Sequence, residues 1–294
     1  MPPSRGPQVV LFTGLALVGF AANSLLCRGA LRTGDIDPAT FTSIRLAAGA
    51  LTLAVIVRSR GGAPRSPGSF ASAAALFAYA IAFSFAYVRL DSGTGALLLF
   101  GAVQMTMVGW AIARGERPRT REWVGLVAAL GGLVVLTFPS LSSPPPLAAA
   151  SMITAGTAWG VYSLRGRGTA DPLKATASNF ARAVPLAFVV SLLSLGMSSS
   201  VNVSARGASY AVASGALASG IGYSLWYAAL RDLSATRAGI VQLAVPVMAA
   251  LGGVLLLGEH LTGRLALASC AILGGIALAT SRPRPRPAAP SLER

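Results

Sequence analysis

Phe83-Ser84-Phe85-Ala86-Tyr87 returns as Tyr223-Ser224-Leu225-Trp226-Tyr227, 140 residues further on. Gly115-Glu116-Arg117 returns as Gly258-Glu259-His260, and Leu130-Gly131-Gly132 as Leu273-Gly274-Gly275, both at an offset of 143. One connecting loop therefore differs by three residues, while residues 79–133 and 219–276 keep the same order of features. A weaker echo precedes them: Ser24, Arg28 and Gly29 match Ser163, Arg167 and Gly168 at an offset of 139. Asp37-Pro38 and Asp171-Pro172 each open the next apolar stretch, with proline suited to a first helical turn. The chain reads as two related halves.

The stretches that carry the repeat are strongly apolar. Charged residues are 11% of the chain and hydrophobic residues 54%, against about 25% charged in a soluble domain. So few charges cannot cover the surface of a soluble protein of 294 residues. Apolar stretches run at roughly 9–29, 38–58, 69–89, 92–113, 120–139, 146–164, 173–196, 207–229, 235–257 and 263–281. Each is close to the ~20 residues that cross a bilayer as helix. The fold expected is all-α and integral to the membrane, with ten transmembrane helices and no soluble domain. The first stretch is too long for a signal peptide and is read as a span.

The formal net charge of +15 does not point to nucleic acid, because of where the cations fall. With both termini inside, the inner segments hold seventeen Lys and Arg and the outer segments five. That excess sets an N-in, C-in orientation by the positive-inside rule. The Arg-Pro tail after Ser281 is suited to anionic lipid. Five helices per half then force the second half to enter the membrane upside down, as an inverted repeat. The arginine-rich loop before the fifth helix and its arginine-poor counterpart before the tenth agree with the inversion. The expected divisions are 1–140 for the first five-helix repeat, 141–146 for a proline-rich connector, 147–281 for the inverted repeat and 282–294 for a basic cytoplasmic tail.

The order of ten spans, the Gly-Glu pair before the fifth and tenth, and the glycine-rich fifth helix of each half resemble the drug/metabolite transporter superfamily, EamA type. Within it, the chain looks like the bacterial aromatic amino-acid and metabolite exporters of the YddG kind. The resemblance covers almost the whole chain and implies a carrier in the bacterial inner membrane.

A substrate path needs polar or aromatic groups facing a central cavity. Tyr79 and Phe83 share one face of the third helix with Tyr87. Asn23 in the first helix, Gln104 in the fourth, Trp159 and Tyr162 in the sixth, Tyr223 in the eighth and Gln242 in the ninth complete the candidate cavity. Aromatic stripes also serve helix packing, and Trp110, Trp123 and Trp226, near span ends, are read as interfacial belt residues. Arg45 and Arg182 fall well inside the second helix of each half. Inversion places them near opposite faces, where they guard two gates or snorkel to the interface. Glu116 and Glu259 sit just before helices with Thr120 and Thr262 as caps, a structural setting rather than ion-coupling carboxylates. Pro185 and Pro246 are candidate kinks. Cys27 and Cys270 read as small buried residues without metal-ligand spacing or a disulfide.

These residues favour an exporter of small metabolites, chiefly amino acids including aromatic ones, working by alternating access as facilitated transport or exchange. The partners expected are a small-molecule substrate and the lipid bilayer, with no nucleic acid. Multidrug efflux is an alternative that lacks a buried carboxylate for its cation. Exchange of sugar phosphates or nucleotide sugars is another, with only two arginines for the phosphate. The alternative outside transport is an intramembrane enzyme, but the spans hold no Ser/His pair, paired Asp or metal cluster. No catalytic residue, metal or cofactor is expected.

Overall fold

The apolar stretches fold as helices in the computed structural model, which describes residues 6–62, 68–90, 92–138, 144–197, 202–257 and 260–281. The helices α1 (Gly6–Leu31), α2 (Pro38–Ser59), α3 (Phe70–Tyr87), α4 (Ser92–Ala113), α5 (Thr120–Thr137), α6 (Pro146–Gly166) and α7 (Pro172–Met197) come first. They are followed by α8 (Ala205–Ala213), a π-helical segment (Ser214–Ile221) and α9 (Gly222–Leu230). Then come α10 (Ala235–Val241), α11 (Ala244–Leu257) and α12 (Gly263–Thr280). Glu259, residues 141–143 of the proline-rich connector and the basic tail lie outside the described residues.

Eight helices among the described residues are long and apolar enough to cross a membrane. The chain is thus a multi-span helical membrane protein, and the two departures from ten uniform spans have local causes. In α6, Ser151, Thr154, Thr157 and Ser163 lower the mean hydropathy, although its 21 residues suffice in length. The stretch 207–229, expected as one helix, is divided by the π segment. The ninth stretch is also interrupted, at Gln242 and Leu243 between α10 and α11. Gln242 lies four residues before Pro246, whose ring excludes the carbonyl at that position from a regular ladder. Pro185, by contrast, sits inside an uninterrupted α7.

Helix starts follow capping chemistry. Asp37, Ser69, Ser204, Ser234 and Thr262 each accept a backbone N–H from the first turn of the helix that follows. The expected cap at Thr120 is corrected: Thr120 is already helical, and Glu122 closes the end by accepting the Arg119 N–H at 2.8 Å.

Packing repeats between the halves. α3 packs on α6 as α1 packs on α8, the π segment and α9; α4 meets α6 as α11 meets α1. α3 meets α7 as α2 meets α8 and the π segment, while α2 pairs with α7 and α5 with α12. Exchanging each span with the one five places along leaves these pairings unchanged. Gly125 and Gly275 let α5 and α12 approach closely, since a Cβ on either would overlap the other's carbonyl oxygen. Elsewhere on these helices Val124, Val127, Leu267 and Leu273 are exposed, an apolar surface suited to lipid. Cys270 is exposed too, which corrects the expectation that both cysteines are buried; Cys27 is buried.

Candidate functional site

The repeat brings α1, α2, α3, α6, the π segment and α9 around one buried centre, with Arg45 at its heart. Arg45 is 1% exposed, so it does not snorkel. Its Nη2 donates to the Tyr223 hydroxyl at 2.6 Å and its Nε to Ser219 Oγ at 3.0 Å. Its Nη1 reaches Cys27 Sγ at 4.0 Å. The guanidinium also lies 5.4 Å from the Tyr79 ring centroid and 6.0 Å from that of Phe83. The Tyr223 hydroxyl donates to that of Tyr79 at 3.4 Å, and Asn23 Nδ2 reaches the same oxygen at 3.4 Å. Ser214 Oγ closes the network on Asn23 Oδ1 at 2.7 Å.

Aromatic rings wall this network. Trp159 stands 4.9 Å from Tyr79, 4.7 Å from Tyr223 and 5.1 Å from Phe20 between ring centroids. Tyr162 lies 5.7 Å from Trp159. Trp159 Nε1 donates to Gln242 Oε1 at 2.5 Å, so the centre is tied to the break in the ninth span. Gln242 Nε2 in turn donates to the Ala238 carbonyl at 2.9 Å.

Of the predicted residues, Asn23, Arg45, Tyr79, Phe83, Trp159, Tyr162 and Tyr223 meet in one cluster, and Gln242 joins it through Trp159. Gln104 stands apart and donates to the Gly239 carbonyl at 2.7 Å, joining α4 to α10. Arg182 is also separate, 5.2 Å from the ring of Phe70 at the start of α3. Trp226, read as a belt residue, is fully buried and donates to Ser163 Oγ at 3.0 Å. It lies near a helix end, but α6 covers it. Sequence reasoning missed Phe20, Cys27, Ser214 and Ser219. The signal for the serines was their place beside Gly215 and Gly220, where a helix carries several small residues in succession.

The two ends of the bundle carry different polar contacts, and the end at α10 also has a cavity of ≈640 Å³ between α1, α10, α11 and α12, with Thr13, Asp232, Arg237 and Thr280 in its wall. At one end, Glu116 pairs with Arg167 at 3.3 Å and accepts from the Ala235 N–H and Thr236 Oγ1, both at 3.4 Å. Glu116 was expected to favour the start of α5; it serves the start of α10 instead. Glu122 pairs with Arg237 at 3.1 Å. Arg165 donates to Ser72 and Ser69, both at 3.0 Å. These contacts gather α3, the α4–α5 loop, α5, α6 and α10. At the other end a cavity of ≈410 Å³ lies between α1, α3, α4, α5, α11 and α12, with Ser24, Arg28, Tyr87, Phe100, Pro246 and Arg264 in its wall. Tyr87 links the cavity to the centre, since its ring stands 4.6 Å from Phe83 and Phe83 stands 5.4 Å from Tyr79.

An apolar bundle with a polar, aromatic centre and a cavity leading towards it is the architecture of a membrane carrier for small molecules. Residues 146–281 match the EamA-like transporter family. Over 280 residues the chain is 51% identical to an uncharacterized protein of Pseudomonas aeruginosa, with 95% of each chain covered. It is 29% identical over 195 residues to an uncharacterized transporter of Archaeoglobus fulgidus, covering 64% of this chain and 68% of that one. A crystal structure at 22% identity shares the fold, with a TM-score of 0.78 over 94% of this chain and 98% of the other. The chain belongs to the EamA-like transporter family, a class of membrane transporters of small molecules.

Proposed function

We propose that the protein exports small metabolites, amino acids and aromatic relatives among them, across a bacterial inner membrane by alternating access. The observation that carries this reading is Arg45, buried among Tyr79, Phe83 and Tyr223 at 1% exposure. A fixed cation beside rings can hold a carboxylate at one end of a substrate and an apolar body at the other. The candidate pocket comprises Asn23, Tyr79, Phe83, Trp159, Tyr162 and Tyr223, with Gln104 and Gln242 beside the broken ninth span. Arg182, in the second helix of the other half, belongs to a gate.

In this reading the two five-helix halves, 1–140 and 147–281, are inverted copies with both termini inside. The arginine excess and the exchangeable packing support that arrangement. The end held by Glu116–Arg167 and Glu122–Arg237 is then the inner gate, and the ≈410 Å³ cavity faces outward. Glu122, buried at the start of α5, is already paired with Arg237. Coupling to a proton gradient therefore has no free buried carboxylate at this gate, which supports facilitated export or exchange.

Two measurements test this reading. Purified protein in liposomes takes up labelled phenylalanine or a related carboxylate saturably, and aromatic and small amino-acid relatives compete while quaternary ammonium drugs do not. The reverse ranking would give the protein to drug efflux. For the gate, a cysteine at buried Ser72, in a background with Cys270 replaced, reacts slowly with a maleimide added from the inner side. Glu116→Gln is expected to speed that reaction several-fold. An unchanged rate would mean that contacts other than Glu116 hold the gate.

A further inference from the structure

Among the described residues Arg45 has no acidic partner. Its hydrogen-bond acceptors, Tyr223, Ser219 and Cys27, are all neutral. The ion pairs among the described residues engage Asp35, Glu116, Glu122 and Asp171, and none involves Arg45. A guanidinium offers five N–H donors in a planar fork, so the three contacts leave donors over. A buried charge is unfavourable until an opposite charge or full hydrogen bonding answers it. The remaining polar groups of the centre, Asn23, Ser214, Tyr79 and Tyr223, are neutral and bonded to one another.

The described residues of the cavity wall carry the same sign. Arg28 and Arg264 line it together with His260, and no Asp or Glu is among its described lining residues. From Tyr87 in the cavity wall a row of packed rings, Phe83 and then Tyr79, ends on the guanidinium. A mouth and a centre of one sign attract a ligand of the other, because low-dielectric walls focus the field. A free ammonium in this space meets neutral acceptors and the repulsion of Arg45, with no carboxylate among the described residues to compensate.

We infer that the preferred cargo carries a net negative charge: a monocarboxylate with an aromatic or apolar body and a blocked or absent amino group. This rests on the exporter reading above and narrows it from amino acids to their N-acylated or deaminated relatives. The carboxylate takes the free edge of the Arg45 fork in paired N–H···O bonds. The body packs against Phe20, Tyr79 and Trp159, rings that meet in the centre. The net charge of ligand plus Arg45 is then zero.

Three labelled probes that share one aromatic body separate the possibilities: N-acetylphenylalanine (anion), phenylalanine (zwitterion) and phenethylamine (cation). Each is offered at pH 7.5 to liposomes holding the full chain, with protein-free liposomes as background. Saturable uptake of the anion should exceed that of the zwitterion by about tenfold, the discrimination that roughly one unpaired charge contact supplies. An inside-positive potential should accelerate uptake of the anion and leave the zwitterion unchanged. Equal or faster uptake of phenylalanine would overturn the charge preference and leave the exporter reading standing. Selective uptake of phenethylamine, or saturable uptake of none of the three, would overturn both.

Discussion

Arg45→Leu should yield a folded protein whose initial uptake rate is lower by about 10- to 100-fold. The estimate follows from losing a charge-assisted contact of about 1.5–3 kcal/mol, at about 1.4 kcal/mol per factor of ten. Folding should tolerate the change because two effects oppose each other. Removing the guanidinium leaves Tyr223 and Ser219 without their donor, which costs about 1–3 kcal/mol for a buried group. It also removes a buried charge whose desolvation costs several kcal/mol. Both hydroxyls can rotate, and that of Tyr223 already has Tyr79 in reach. Arg45→Lys should recover part of the rate, since it keeps the charge and loses the planar fork. Uptake per mole of monodisperse protein, read beside a melting curve, checks both variants. A wild-type rate in Arg45→Leu would take Arg45 out of the substrate path.

Gly215→Ala should lower thermal stability and transport together. A Cβ at this position would overlap the carbonyl oxygen of Arg45, because the π segment lies directly on the α2 backbone. Backbone cannot yield as a flexible side chain does, so the two elements must part. Overpacking of this kind costs about 1–3 kcal/mol, occasionally more. Parting them also draws Ser219 and Tyr223 away from the guanidinium, which couples the packing defect to the site. Gly131→Ala is the control: a Cβ there meets nothing within 4 Å. In a helix interior that exchange is worth about 1 kcal/mol in favour of alanine. Equal melting temperatures for the two variants would mean that the π segment moves aside without penalty.

The spans were legible because their signal is local. Length, apolarity and proline at helix starts are properties of neighbouring residues, and α2, α6 and α7 begin at the prolines that mark them. Pro246 announced a disturbance in the ninth span, and the break lies at Gln242, where the ring of proline acts. Burial of Trp226 was not legible, since distance from a helix end says nothing about what covers the ring. The partners of Arg45 were equally hidden. Ser219 and Tyr223 are 174 and 178 residues away in the chain, and they come within reach only when the π segment lies on α2. A π segment has no short-range sequence code; Gly215 and Gly220 permit one, and packing against Gly49 and Arg45 selects it.

The break at Gln242 and Leu243 bears on the speed of the protein. Regular helices bend by stretching or losing backbone hydrogen bonds, and each such loss adds to an activation barrier. In the ninth span that ladder is already interrupted, with turn contacts such as Val245 N–H to the Gln242 carbonyl at 3.0 Å in its place. Swinging α10 against α11 therefore sacrifices no helical bond that is still intact. What must be broken is side-chain contact: the ties of Glu116 and Glu122 at one end of α10, and the Gln104–Gly239 and Trp159–Gln242 bonds towards the other. In the proposed cycle, turnover is then timed by a few polar contacts that substrate can replace, while the helices remain whole.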